Sequence, residues 1–245
     1  MLRSIFKMIG YNLAASDGEI GTAYDFLFDD QEWTVRHLVV DTGTWLPGRR
    51  VLIAPEALGK ADWEKQLLSV ELTKEKIEKS PLVDTDKPVS RQQEIELYRY
   101  FPGTPYWGEG MGELHPVPEA FAVPRDPGMK VQKEDPHLRS VREVKGYHIS
   151  AADGEFGHID DFIVDDESWI LRYAVVNTRN WLPGRRVLVS PQWFKNINWS
   201  GRKASTDLKQ ERIKNGPQYD PAAVVNREVE DQLYDFYGRT KYWIP

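Results

Sequence analysis

Residues 2–107 recur as residues 138–243 at a constant offset of 136, without a gap, and 43 of the 106 aligned positions are identical. No other feature constrains the chain as strongly, because both copies must satisfy one fold. Gly10-Tyr11 returns as Gly146-Tyr147, and Asp17-Gly18-Glu19 as Asp153-Gly154-Glu155. The eight residues Trp45 to Leu52 return unchanged as Trp181 to Leu188, and Thr104, Tyr106 and Trp107 as Thr240, Tyr242 and Trp243. The period is far too long for a solenoid unit, so this is a whole-domain duplication. The domains expected are 1–107 and 138–245. Between them residues 108–137 have no counterpart and carry five prolines and four glycines, the composition of an extended connector. Leu114, Val117, Phe121 and Val123 give that linker some apolar surface.

Composition narrows the classes of function. With no cysteine there are no disulfides, thiolate metal sites or Cys nucleophiles. No apolar run approaches the ~18 residues that span a bilayer, and the charged start is unlike a signal peptide, so a cytoplasmic location is expected. The net charge of −6 argues against a nucleic-acid partner, which needs a basic face. The charge is uneven: residues 2–107 carry 13 basic and 17 acidic groups, net −4, whereas residues 138–243 carry 16 and 15, net +1. The copies present different surfaces on one shape.

Short apolar runs separated by turn signals predict a small antiparallel sheet or barrel. Ser16-Asp17-Gly18-Glu19 reads as a hairpin turn, Ile20–Phe28 as a strand, Asp29–Glu32 as the next turn and Trp33–Asp41 as the returning strand. In Leu46-Pro47-Gly48-Arg49, Pro sets φ and Gly accepts the positive φ of a type II turn. Val51–Ile53 and Leu67–Leu72 are further strands. Thr73–Lys79 is a one- to two-turn helix, and Ser90-Arg91-Gln92-Gln93 caps a short helix over Glu94–Tyr100. Each copy is expected to hold five or six strands and two small helices.

Asp-Gly-Glu-x-Gly, then Asp25, Asp29 and Asp30, then the strand with Arg36, Val39, Val40, Asp41 and Thr42, then Trp-Leu-Pro-Gly-Arg-Arg-Val-Leu and a Tyr-rich tail resemble the PRC-barrel domain. That family is named for the cytoplasmic domain of the photosynthetic reaction centre H subunit and includes the C-terminal domain of the ribosome-maturation factor RimM. The resemblance covers nearly all of both copies. It implies a mainly β fold with short helices, two tandem small antiparallel barrels, and a role in docking to other proteins. Peripheral association with a membrane complex, such as photosynthetic electron-transport machinery, follows from the same resemblance. The resemblance extends neither to the membrane helix of the one relative nor to the N-terminal domain of the other, and fold alone does not carry a function across.

The candidate residues are those present twice. Asp29 and Asp30 match Asp165 and Asp166; clustered carboxylates could relay protons or bind a hard cation, or simply form solvated turns. Trp45, Arg49 and Arg50 match Trp181, Arg185 and Arg186; Trp beside Arg is typical of interface hot spots. The structural alternative has the Trp plugging a barrel end and the Arg pairing with Asp29 or Asp41. These ten residues are the candidate partner-binding set. The five histidines, His37, His115, His137, His148 and His158, include no matched pair, since Tyr173, Asn12 and Thr22 stand opposite His37, His148 and His158. A repeated histidine site is therefore not expected. The aromatic tails, Tyr98 to Trp107 and Tyr234 to Trp243, are expected to pack on the barrel or on the sister copy.

These readings converge on a non-enzymatic assembly module, with no catalytic residue, cofactor or metal, whose copies pack as an intramolecular pseudo-dimer. Its expected partner is another protein, with a homo-oligomer as the secondary possibility. The alternative is an acidic metal- or small-ligand-binding stress protein.

Overall fold

The computed structural model describes residues 1–81, Glu94, Leu97, Tyr100, 137–178 and 185–244. In the first repeat the strands are β1 (Leu2–Ser4), β2 (Asn12–Ala15), β3 (Gly18–Asp29), β4 (Val35–Asp41), β5 (Arg50–Ile53), β6 (Leu58–Asp62) and β7 (Leu67–Val70). A single turn of helix, α1 (Ile5–Met8), follows β1, and α2 (Lys74–Glu78) follows β7. The second repeat has β8 (Leu138–Ser140), α3 (Val141–Val144), β9 (His148–Ala151), β10 (Gly154–Asp165), β11 (Leu171–Asn177), β12 (Arg186–Val189), β13 (Phe194–Asn198), β14 (Lys203–Thr206), α4 (Gln210–Lys214) and α5 (Arg227–Tyr237). The chain is mainly β. The expected helix over Glu94–Tyr100 is helical at Glu94, Leu97 and Tyr100, and the rest of it, like linker residues 108–136, lies outside the described residues.

Each repeat builds a sheet in the order β5-β4-β3-β2-β7-β6 or β12-β11-β10-β9-β14-β13, with β2·β7 and β9·β14 parallel and the other pairs antiparallel. Among the described residues this path is open, ending at β5 and β6 in one sheet and at β12 and β13 in the other. The seventh strand of each sheet belongs to the other repeat. β8 joins β3 (Leu27↔Ser140, Phe28↔Arg139, Asp29↔Leu138), and β1 joins β10 in the same register (Ile163↔Ser4, Val164↔Arg3, Asp165↔Leu2). β3 and β10 are 12 residues long, so β2 or β9 covers only the first half of one edge and leaves the second half for the exchanged strand.

The turns behave as their sequences dictate. Gly48 takes φ 73°, with Arg49 N–H donating to the Leu46 carbonyl at 3.0 Å, as a type II turn requires. The second Gly of Asp-Gly-Glu-x-Gly has another cause: a Cβ at Gly21 would overlap the Asp41 carbonyl, and one at Gly157 the Asn177 carbonyl, so only glycine fits at that close approach of the strands. β3 bulges between Ala23 and Asp25, and β10 at the matched place between Ile159 and Asp161.

The core is continuous across the duplication. Ile5, Met8, Phe26, Phe28 and Val40 of the first repeat join Val141, Val144, Phe162, Tyr173 and Val176 of the second in one buried cluster. Each exchanged strand ends in a helical turn whose apolar side chains, Ile5 and Met8 or Val141 and Val144, are at most 1% exposed. Burying such a side chain is worth about 1.5–3 kcal/mol, so the exchanged segments anchor one repeat to the other. Among the described residues no helix is long and apolar enough to cross a membrane.

Candidate functional site

Of the features singled out by repetition, the paired carboxylates lie at the seam between the repeats. At its centre Thr34 and Ile170, matched residues, face each other in an antiparallel bridge, which places the pseudo-twofold axis between them. The residues before them, Trp33 and Trp169, both adopt left-handed backbone, φ 55° and 58°. That conformation costs about 1–2 kcal/mol in a bulky residue. It turns each Trp carbonyl toward the other repeat, where Leu171 N–H donates to Trp33 at 2.7 Å and Val35 N–H to Trp169 at 2.8 Å.

The paired carboxylates close this seam. Asp29 Oδ1 accepts from Gln31 and Glu32 N–H at 2.9 Å each, which makes the tight turn; Asp165 does the same through Glu167 N–H and the Ser168 hydroxyl. Their neighbours reach across. Asp30 pairs with Arg139 Nε at 2.9 Å, and Asp166 pairs with the matched Arg3 and with the N-terminal amino group. Each arginine also stacks on a tryptophan of its own repeat, Arg3 3.8 Å from the Trp63 ring centre and Arg139 4.6 Å from that of Trp199. Asp30 and Asp166 thus have cationic partners within the chain, and among the described residues no three His, Asp or Glu are placed to hold a metal ion.

The bulges in β3 and β10 point a second carboxylate at each exchanged strand. Asp25 accepts from the Ser140 hydroxyl and from Phe26 and Arg142 N–H; Asp161 accepts from Ser4, Phe162 and Phe6 in the same way. Ser4 and Ser140 are also the N-caps of α1 and α3. Burial pushes both carboxyls above the ordinary aspartate range, and the hydrogen bonds only partly counter it. A pKa raised on folding contributes stability that is complete below the unfolded value and is lost as pH rises through the folded value. Asp25→Asn should therefore gain on the wild type between pH 4 and pH 7.5, measured by urea denaturation. Ser140→Ala should lose about 1–2 kcal/mol, having removed both a cap and a cross-repeat hydrogen bond.

Among the described residues, the contacts of the Trp-Leu-Pro-Gly-Arg-Arg arginines fall within their own repeats, and not on Asp29 or Asp41. Arg49 donates to the carbonyls of Glu78 and Ser80 at the end of α2, and Arg185 to that of Gly216 beyond α4. Cations are favoured at that pole of a helix. Arg50 stacks on Tyr24 at 3.7 Å, whereas Arg186 Nε binds Asp160, which stands in Tyr24's matched place, at 2.8 Å. Trp45 is half-buried with Lys74 Nζ 4.7 Å from its ring centre; Trp181 lies outside the described residues. The second aromatic tail packs inward as expected, with Tyr234 5.3 Å from Trp193 and 5.0 Å from Trp243; apart from Tyr100, the first lies outside the described residues.

One cluster escaped the position-by-position comparison because its members do not match each other. Buried Glu94 receives His37 Nε2 at 3.2 Å and His137 Nε2 at 2.6 Å, and His137 immediately precedes exchanged strand β8. Glu230, the match of Glu94, accepts instead from Tyr173 at 2.7 Å and Tyr242 at 2.8 Å, with Arg227 at 2.9 Å. The available signal was the identical Glu combined with the His37/Tyr173 exchange opposite it. Burial alone would raise the Glu94 carboxyl, but its hydrogen bonds to His137 and His37 hold it down at about 2.

The two ends of the seam also differ. On one side Trp33 is 8% exposed, stacked on Phe28 at 5.1 Å and packed against Phe162, Phe194 and Trp199 at 5.8–6.4 Å. On the other, Trp169 and Trp63 are only half-buried and line an open cleft of about 630 Å³ with Arg36, Leu58, Lys60 and Ala61. Compared with known proteins, the chain matches no family model and no curated protein.

Proposed function

We propose that this chain is a non-enzymatic docking protein, a tandem of two PRC-barrel-like modules fused by strand exchange into one body that binds another protein. What carries this reading is the use made of the repeated polar residues. Asp25, Asp30, Asp161 and Asp166 hold one repeat to the other, while Arg49 and Arg185 hold loops to helices. Conserving both copies thus preserves a rigid scaffold, and recognition falls to the positions at which the copies differ. The end strands β6 and β13 offer sheet edges of the kind that extended segments of partners add to. The resemblance to the reaction-centre subunit suggests a membrane-associated complex as the setting and the cytoplasm as the compartment.

Affinity capture with the full chain from its native cell, under mild conditions, is expected to recover a stoichiometric protein partner. Repeated capture of nothing at stoichiometric level would overturn the docking reading. Genes for reaction-centre components beside this one would support the photosynthetic setting, and their absence would remove it.

A further inference from the structure

We infer that the open cleft between Trp63 and Trp169 receives an aromatic side chain from an extended segment of a partner protein; this rests on the docking reading above. The duplication supplies the argument, since the two ends of the seam are the same construction with different filling. Where β13 carries Phe194, Lys195 and Ile197, β6 carries Leu58, Gly59 and Ala61, each smaller than its counterpart. Phe194 lies 5.8 Å from Trp33, and Trp199 stands 6.4 Å from that same ring. On the open side, beneath Trp169, Val164 takes the matched place of Phe28, and among the described residues no ring contact joins Trp63 to Trp169. Among the described residues the cleft therefore lacks the aromatic group that Phe194 supplies at the other end.

Its surroundings suit a strand-like ligand. The floor is continuous with the interface between the repeats, through Val35 N–H and the Trp169 carbonyl, so its shape is held by the same contacts that hold the fold. One wall is β6, which among the described residues is paired on one edge, to β7. Trp63 is fixed by Arg3 across its face and by Tyr11 at 6.4 Å, and Trp169 by Phe26 at 6.1 Å, so both indoles are presented without a large ordering cost. A half-buried aromatic pair beside the end strand of a sheet is the arrangement in which main-chain hydrogen bonds supply affinity and a side-chain pocket supplies selectivity.

The test transplants the filling. Leu58→Phe with Ala61→Ile gives the cleft the residues of its closed counterpart, and the variant should melt at or above the wild-type temperature. The probe is a blocked Val-Phe-Val tripeptide, titrated into the full-length protein while the indole N–H signals of Trp63 and Trp169 are followed by NMR. Saturable shifts at millimolar peptide are expected in the wild type, weakened at least about tenfold in the filled variant. Phe194→Leu with Ile197→Ala should open a second site and bring the Trp33 and Trp199 signals into play. Unmoved indoles in the wild type, or equal shifts in the filled variant, would overturn the inference. So would a change in oligomeric state on filling, which would make a second copy of the chain the occupant. A partner captured equally by wild type and filled variant would reject this cleft while leaving the docking reading intact.

Discussion

A chain cut down to residues 137–245 should be a homodimer in solution, with no stable monomer at any concentration where it is folded. In the full chain the second half of the β10 edge is covered by Leu2-Arg3-Ser4, and the isolated repeat begins with the same three residues, Leu138-Arg139-Ser140. A second copy can therefore supply the missing strand, its Ser140 to Asp161 and its Arg139 to Asp166, while Ile170 bridges Ile170. A monomer would leave that edge unpaired and Val141 and Val144, each at most 1% exposed, without their cover. Two such side chains, with the associated hydrogen bonds and ion pair, amount to several kcal/mol, a large part of what a domain of this size possesses. Dissociation should thus coincide with unfolding and make the melting temperature depend on concentration. Mixed with residues 1–107, the second half should prefer the heterodimer, because only it brings His137 to Glu94. Native mass spectrometry and sedimentation equilibrium would read both results; a folded, monomeric 137–245 would show that the exchange is dispensable.

The strands from Gly18 to Ile53 were legible because alternation and turn chemistry act locally: Gly48, Asp29 and the hairpin at Asp17-Gly18 announce themselves within four residues. The exchange was not legible. Leu2-Arg3-Ser4 and Leu138-Arg139-Ser140 are three-residue strands with one apolar side chain each, too short for any period, and their partners lie more than 100 residues away. A matched pair can also satisfy its contacts within a repeat or between repeats, and pattern alone does not choose. That is why Asp30 and Asp166 read first as solvated turns, with cation binding as the alternative, and their pairing with Arg139 and Arg3 was not foreseen. Comparing the copies for identity had a further blind spot. It favours what must be the same twice, whereas the histidine cluster on Glu94 and the cleft at Trp169 exist because the copies differ. His37 opposite Tyr173 and Leu58 opposite Phe194 are ordinary substitutions in the alignment and become informative only when the matched Glu or Trp beside them is seen.

Replacing Glu94 by alanine should cost about 3–5 kcal/mol at pH 7, the range for removing one partner from a buried, hydrogen-bonded charge cluster. Glu94 is fully buried, and its loss leaves the Nε2 atoms of His37 and His137, both nearly buried, without the oxygens they face. The loss should appear mainly between the repeats, since His137 leads directly into β8. Glu94→Gln keeps the shape and a hydrogen-bonding group toward each imidazole, so it should cost less at pH 7 and should change the acid response. The Glu94 pKa falls on folding, from 4.5 to about 2. A lowered pKa contributes stability that is present above the unfolded value and is lost as pH falls toward the folded one. Wild-type protein should therefore weaken from about pH 4.5 downward more steeply than Glu94→Gln, which has no carboxylate there to protonate. Urea midpoints at pH 7 and pH 3.5 measure the difference directly: the gap between wild type and Glu94→Gln should narrow in acid. An unchanged gap would mean that the histidines do not hold Glu94 ionised, and that the cluster binds the repeats through packing alone.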